Sequence, residues 1–203
     1  MCSVKKTLQA RERDEEARKA WREAVLKLTP DKLVFLDETS GWLGMTRLYA
    51  RVLGGGRIYD TAPKKRKGKV SLLAAITQRG MKAEACLIHE GSVDTAAFLS
   101  YVEHVLLPTL EPGQIVIMDN FTIHHNSNVQ MLLESKDCRV FYLPTYSPDF
   151  NPIEHLFSKI KAFIRKLRPD TLPSLIKTFE DAVLSVIPDD VKNAFIHCGY
   201  LSQ

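Results

Sequence analysis

Two short apolar runs in the chain close in the same way: Leu33–Leu36 is followed by Asp37, and Ile115–Met118 by Asp119. Their apolar residues are contiguous rather than alternating, the pattern of strands buried on both faces. Further runs predict strands over 45–53, 69–77, 81–88 and 138–144, with Gln78–Gly80 as the hinge of a hairpin between the third and fourth strands. Helical periodicity marks the rest. Residues 7–28 contain strong helix formers and neither Gly nor Pro, and Leu8, Ala17, Trp21, Ala24, Val25 and Leu28 approximate one apolar face. Residues 94–110 begin at Asp94, a good helix cap, and residues 127–135 predict a shorter helix. Ile153, Phe157, Ile160, Ile164 and Leu167 form the core stripe of a helix starting at Pro152, and one or two helices follow Pro173. This order of strands, hairpin and alternating helices predicts a mixed sheet with helices on its faces, an α/β or α+β pattern.

Composition narrows the class without naming a function. Of 203 residues, 45% are hydrophobic and 26% charged, the balance of an ordinary soluble globular chain. The formal charge of +4 permits a polyanionic partner without demanding one. No run of about 18 apolar residues could span a bilayer, and the first residues lack the apolar core of a secretory signal. A cytoplasmic location is therefore expected. Cys2, Cys86, Cys138 and Cys198 are scattered without CxxC spacing, which predicts free thiols rather than a zinc site or a disulfide framework.

The carboxylates hold the candidate chemistry. If the strands ending at Asp37 and Asp119 lie parallel and adjacent, two acids emerge together at one edge of an apolar sheet, a costly arrangement unless a cation meets them. Glu154, at the third helical position after Asn151 and Pro152, has two readings. It can reach back to Asn151 in a capping box, or it can join the two aspartates. It also leads a stripe continued by Ser158, Lys161, Arg165 and Arg168, which suits a carboxylate beside the path of a polyanion.

The blocks LDET around Asp37, MDNFTIHHN around Asp119 and LPTYSPDFNPIEHLFSKIK around Glu154 resemble the catalytic blocks of mariner-like DDE transposases, most closely the bacterial insertion-sequence branch. The likeness runs from about residue 31 to the HCGY ending at 197–200, and 34 residues, Asn120 to Ile153, separate Asp119 from Glu154, the family's interval. The resemblance implies a ribonuclease-H-like, mixed five-stranded sheet with helices on both faces over residues 31–203, preceded by a helical linker segment over 1–30. It implies Asp37, Asp119 and Glu154 as metal-holding catalytic residues for two Mg²⁺ or Mn²⁺ ions, with Asp37 bridging them. Oxygen donors suit such hard cations, and paired ions serve phosphodiester chemistry. Glu38, Asn120 and His124 are expected to support these acids rather than ligate directly. The implied activity is cleavage of DNA and joining of the freed 3′-end to target DNA, by a homodimer in the synaptic complex. The expected partner is double-stranded DNA, both element ends and target, which makes the protein nucleoid-associated.

Lys64, Lys65, Arg66, Lys67 and Lys69 form a dense basic loop that is either a solvated hairpin tip or a contact to the DNA backbone; Lys161 and Arg165 are further candidates for that contact. Gly54–Gly56 lack the rest of a phosphate-binding loop, which excludes nucleotide hydrolysis of that type. Related transposases carry helix-turn-helix domains ahead of the catalytic blocks, where this chain has one linker-like helix. A fragment, a truncated copy or the second frame of a split gene is expected, with a separate helix-turn-helix protein or frame reading the element ends. Two rival functions share the sequence: a structure-specific nuclease of the same fold, and a decayed or domesticated protein that only binds DNA.

Overall fold

A computed structural model describes residues 11–202 except 48, 52, 55, 63–66, 122, 123 and 125; of Lys67 it describes the backbone alone. One mixed sheet organises the chain. Strand β1 (Leu33–Leu43) pairs antiparallel with β2 (Lys67–Thr77) and parallel with β5 (Ile115–Met118), which pairs parallel with β6 (Arg139–Tyr142). On the other edge, β3 (Gly80–Met81) and β4 (Leu87–Glu90) both pair antiparallel with β2.

Among the described residues, six strands thus fill five places. The single strand expected over 81–88 is broken by the turn Ala83–Ala85, which buries Ala85 and turns its carbonyl to the Tyr101 hydroxyl at 2.8 Å. The strand expected over 45–53 does not form among its described residues: Tyr49 and Leu53 are 90% and 100% exposed. β1 runs on to Leu43 and takes β2 as its partner, and the described residues between them form no strand.

Helices cover both faces because the central strands β1, β2 and β5 bury apolar residues on both. α1 (Glu15–Val25), α5 (Ile153–Leu167), α6 (Leu172–Leu184) and α7 (Pro188–His197) enclose a core with Phe35, Ile117, Phe157, Phe179 and Phe195. On the opposite face, α2 (Thr95–Tyr101) passes through a π-turn (Val102–Leu106) into α3 (Leu107–Thr109). Together with α4 (Ser127–Ser135) it covers Leu36, Val116 and Met118. α1 starts at Asp14, whose side chain caps Ala17 N at 2.9 Å, later than the expected helix start; residues 7–10 lie outside the described part. Trp21 stacks between Phe141 of β6 and Phe150, so α1 is packed into the same core as the sheet.

Candidate active site

The parallel pairing of β1 with β5 brings the two aspartates together. Phe35 pairs with Ile117, and two residues beyond each lie Asp37 and Asp119. Side chains alternate across a strand, so Asp37 shares the face of Phe35 and Asp119 that of Ile117, the face on which α5 packs. α5 contributes Glu154 from its first turn. Asp37, Asp119, Glu154, Asn120, Phe121 and Asn151 line one cleft of about 330 Å³, closed on one side by residues 143–148.

The three acids differ in environment. Asp37 is 8% exposed; its Oδ1 accepts the Glu38 backbone N–H at 2.7 Å and its Oδ2 accepts Asn151 Nδ2 at 2.8 Å. Burial pushes its carboxyl up to about 7; the charge of Asp119, and less so that of Glu154, adds to the rise, while the Glu38 N–H and His124 oppose it. Asp119 Oδ1 accepts the Phe121 N–H at 3.1 Å and lies 2.5 Å from His124 Nδ1. A carboxylate only accepts, so Nδ1 carries the proton there. His124 is buried against Phe98 of α2, and its carbonyl takes the Tyr142 hydroxyl at 2.9 Å. Glu154 is exposed at the rim, yet partial withdrawal from water raises its carboxyl above the ordinary value, with Lys161 opposing and Asp119 reinforcing the shift.

The capping reading of Glu154 fails. No side chain caps the start of α5, and the Asn151 amide that would have done so is turned into the cleft toward Asp37. Glu154 makes only a backbone contact there, its N–H donating to Asn151 O at 3.2 Å.

Of the expected supporting residues, His124 touches Asp119 and Asn120 lines the cleft, its amide donating to Thr145 Oγ1 at 3.4 Å. Glu38 supports Asp37 through its backbone alone. Its side chain, on the face of Leu36, accepts from Ser40 Oγ at 3.3 Å and does not line the cleft. Lys161 and Arg165 are half-buried along α5. Lys69 is exposed on β2 and bonds Ser92 Oγ at 2.8 Å. It stands opposite Trp42, five residues beyond Asp37 and about 17 Å along the strand. Lys64, Lys65, Arg66 and the Lys67 side chain fall outside the described residues.

The sequence reading missed two features. The turn Pro148–Phe150 before α5 is clamped from outside the sheet. The Arg18 guanidinium makes two hydrogen bonds to Asp149 (2.6 and 3.1 Å) and lies 4.0 Å from the centre of the Phe150 ring, and Tyr200 Oη donates to Phe150 O at 2.6 Å. Burial pushes Asp149 up, but the Arg18 hydrogen bonds and charge hold it below the ordinary carboxylate range. The second is a groove of about 770 Å³ lined by Arg47, Arg51, Arg57 and Arg168, in which Asp60 pairs with Arg168.

Among the described residues, no group of three or more His, Cys, Asp or Glu side chains stands close enough to hold a metal ion. Three carboxylates repel one another and gain nothing by closing on a common centre in the absence of a cation. The donor set still fits a hard divalent ion. It is three carboxylates in one cleft, lined also by Asn151, whose buried Oδ1 has no hydrogen-bond partner among the described residues.

The family described as DDE superfamily endonuclease matches residues 32–176, most of the chain and all three acids. The chain belongs to that family. Its fold is similar to solved structures of the Mos1 mariner transposase. For the strand transfer complex the TM-score is 0.77 at 19% identity, covering 97% of this chain and 62% of that one. For the paired-end complex with Mg it is 0.79 at 18% identity, covering 97% and 63%. For the Mos1 catalytic domain bound to Raltegravir with Mg it is 0.67 at 20% identity, covering 93% and 91%. This DDE-family chain therefore has the ribonuclease-H-like fold and spans about 62% of the length of the strand-transfer Mos1 chain. No curated protein matches it in sequence. No helix among its described residues is long and apolar enough to cross a membrane.

Proposed function

We propose that this chain is the catalytic domain of a transposase from the insertion-sequence branch of the mariner-like superfamily, cutting DNA at element ends and joining the freed 3′-end to target DNA. One observation carries the reading: in a DDE-family chain, acids from β1, β5 and α5, far apart in sequence, line the same cleft.

Asp37, Asp119 and Glu154 would hold two Mg²⁺ or Mn²⁺ ions. Such ions, when bound, activate the attacking water or 3′-hydroxyl and stabilise the leaving oxygen. The remaining residues prepare the acids. The Glu38 N–H fixes one oxygen of Asp37, His124 holds Asp119 from the buried side, and α5 presents Glu154 at its N-terminal end, where the helix dipole favours negative charge. Lys161 and Arg165 continue from Glu154 along α5 and would meet phosphates, as would the basic loop 64–69 and the arginine groove. Double-stranded DNA is the proposed partner, with a homodimer forming the synaptic complex and a separate helix-turn-helix segment reading the ends.

The test is Glu154→Gln assayed on duplex DNA carrying the element ends, in Mg²⁺. A near-normal melting temperature with strand cleavage abolished is expected. Full cleavage by the folded variant would overturn the assignment. Cleavage without strand transfer by the wild-type chain would favour the structure-specific nuclease instead.

A further inference from the structure

The irregular turn between residue 143 and α5 contains a buried polar side chain that the proposed chemistry leaves unused. Asn151 is 2% exposed. Its position suits a helix cap, yet it caps nothing. Instead its Nδ2 donates to Asp37 Oδ2 at 2.8 Å, while its Oδ1 is buried without a partner beside the cleft. Leaving a buried carbonyl oxygen unbonded is destabilising, so the placement needs a compensating reason.

We propose that Asn151 is a positioning residue, which orients the Asp37 carboxylate and joins it to the helix that presents Glu154. This inference rests on the metal-dependent reading above.

Three contacts support it. When Asp37 is ionised, as it must be to hold a cation, it can only accept, and the Asn151 Nδ2–H that faces it is then the donor. With Oδ1 of Asp37 held by the Glu38 N–H and Oδ2 by Asn151, the carboxylate plane is pinned at both oxygens, and each keeps a lone pair for another partner. The Asn151 backbone meanwhile sits at the root of α5: its carbonyl accepts the Glu154 N–H at 3.2 Å, and its own N–H donates to Pro148 O at 3.0 Å. Asn151 is therefore a single residue bonded to one acid through its side chain and to a second through its backbone. The clamp from Arg18 onto Asp149 and from Tyr200 onto the Phe150 carbonyl fixes the turn that holds it. The buried Oδ1 has no hydrogen-bond partner among the described residues, and so adds an unused acceptor to a residue that lines the cleft. Partners of this kind set ligand orientation, and their loss weakens metal affinity about 10–100-fold.

The experiment compares the full chain with Asn151→Leu, Asn151→Ser and Asp37→Asn. Mn²⁺ affinity is followed by the electron paramagnetic resonance of free Mn²⁺, and thermal melting is measured in chelator. A positioning role predicts that the Leu and Ser variants melt near wild type in chelator yet bind Mn²⁺ about 10–100-fold more weakly. A merely structural role predicts the opposite split, lowered melting with unchanged affinity in the folded fraction, and would overturn the proposal. So would failure of both variants to fold. If wild type binds Mn²⁺ no better than Asp37→Asn, the metal reading itself falls and this inference with it. If wild type binds and the Asn151 variants bind equally well, only the role of Asn151 is refuted.

Discussion

The buried Asp37 should make the metal-free protein less stable as pH rises, and Asp37→Asn should remove that penalty. In the folded chain its carboxyl is raised from 3.8 to about 7, first by burial and then by the negative charge of Asp119. A raised carboxyl pKa means that the folded state holds the proton more tightly than the unfolded chain does. The resulting stabilisation is complete below about pH 4 and is lost as pH climbs through about 7. A rise of that size corresponds to roughly 4 kcal/mol as a ceiling, at about 1.4 kcal/mol for each tenfold change in proton affinity. Asparagine keeps the acceptor for the Glu38 N–H, and once the Asn151 amide turns over, the new amide donates to Asn151 Oδ1 in place of the bond from Asn151 Nδ2. We therefore expect Asp37→Asn to gain about 2 kcal/mol at pH 8 in chelator, about 4–8 °C in melting temperature for a chain of 203 residues. At pH 5 the gap should have closed, because the wild type regains about 1.4 kcal/mol for each pH unit below 7. Saturating Mn²⁺ should reverse the order at pH 8, since a ligand at about 100 times its Kd adds about 2.7 kcal/mol to the protein that binds it. Differential scanning calorimetry from pH 5 to 8, with and without Mn²⁺, reads all of this. A melting difference that is absent at pH 8, or equal at pH 5 and pH 8, would refute the buried-charge argument.

Two further outcomes are expected. Arg18→Met should cost about 2 kcal/mol in urea unfolding, a figure discounted because Asp149 is half exposed, and should slow strand cleavage by loosening the turn ahead of α5; unchanged cleavage in the destabilised variant would detach α1 from the site. Lys161→Ala with Arg165→Ala should flatten the slope of log affinity for duplex DNA against log salt by about 0.9 for each phosphate no longer neutralised, read by anisotropy across a salt series; an unaltered slope would remove α5 from the DNA path.

The parts of the fold legible in the sequence were those fixed by local periodicity. Leu33–Leu36 and Ile115–Met118 could only be strands buried on both faces, and their parallel pairing sets Asp37 and Asp119 side by side. The stripe from Ile153 to Ile164 located α5 and therefore Glu154. What failed was decided by partners rather than by pattern. Residues 45–53 have the composition of a strand, but β1 had already taken β2. Asn151 and Pro152 have the look of a helix cap, yet a buried carboxylate is a stronger claim on an amide than an exposed helix end. Glu38 follows the logic of period two: adjacent to Asp37 in sequence, it faces the opposite layer.

The Arg18 contact could have been anticipated in kind, though not in detail. Arg18 lies three residues before Trp21 and seven before Val25, on the apolar face of α1, and a guanidinium on a core-facing stripe demands an acidic partner. Which acid answers cannot be read locally, since Asp149 is 131 residues away. That separation has a physical logic. The cleft wall from 143 to 151 is irregular, with Tyr146 at φ 54, and an irregular wall cannot hold a carboxylate in place by a ladder of its own. It is held instead at three points by elements already rigid: Arg18 of α1 on Asp149, Tyr200 beyond α7 on the Phe150 carbonyl, and Asp37 of β1 on Asn151. A helix near the start of the chain and a tyrosine near its end thereby bear on the geometry of the same acids.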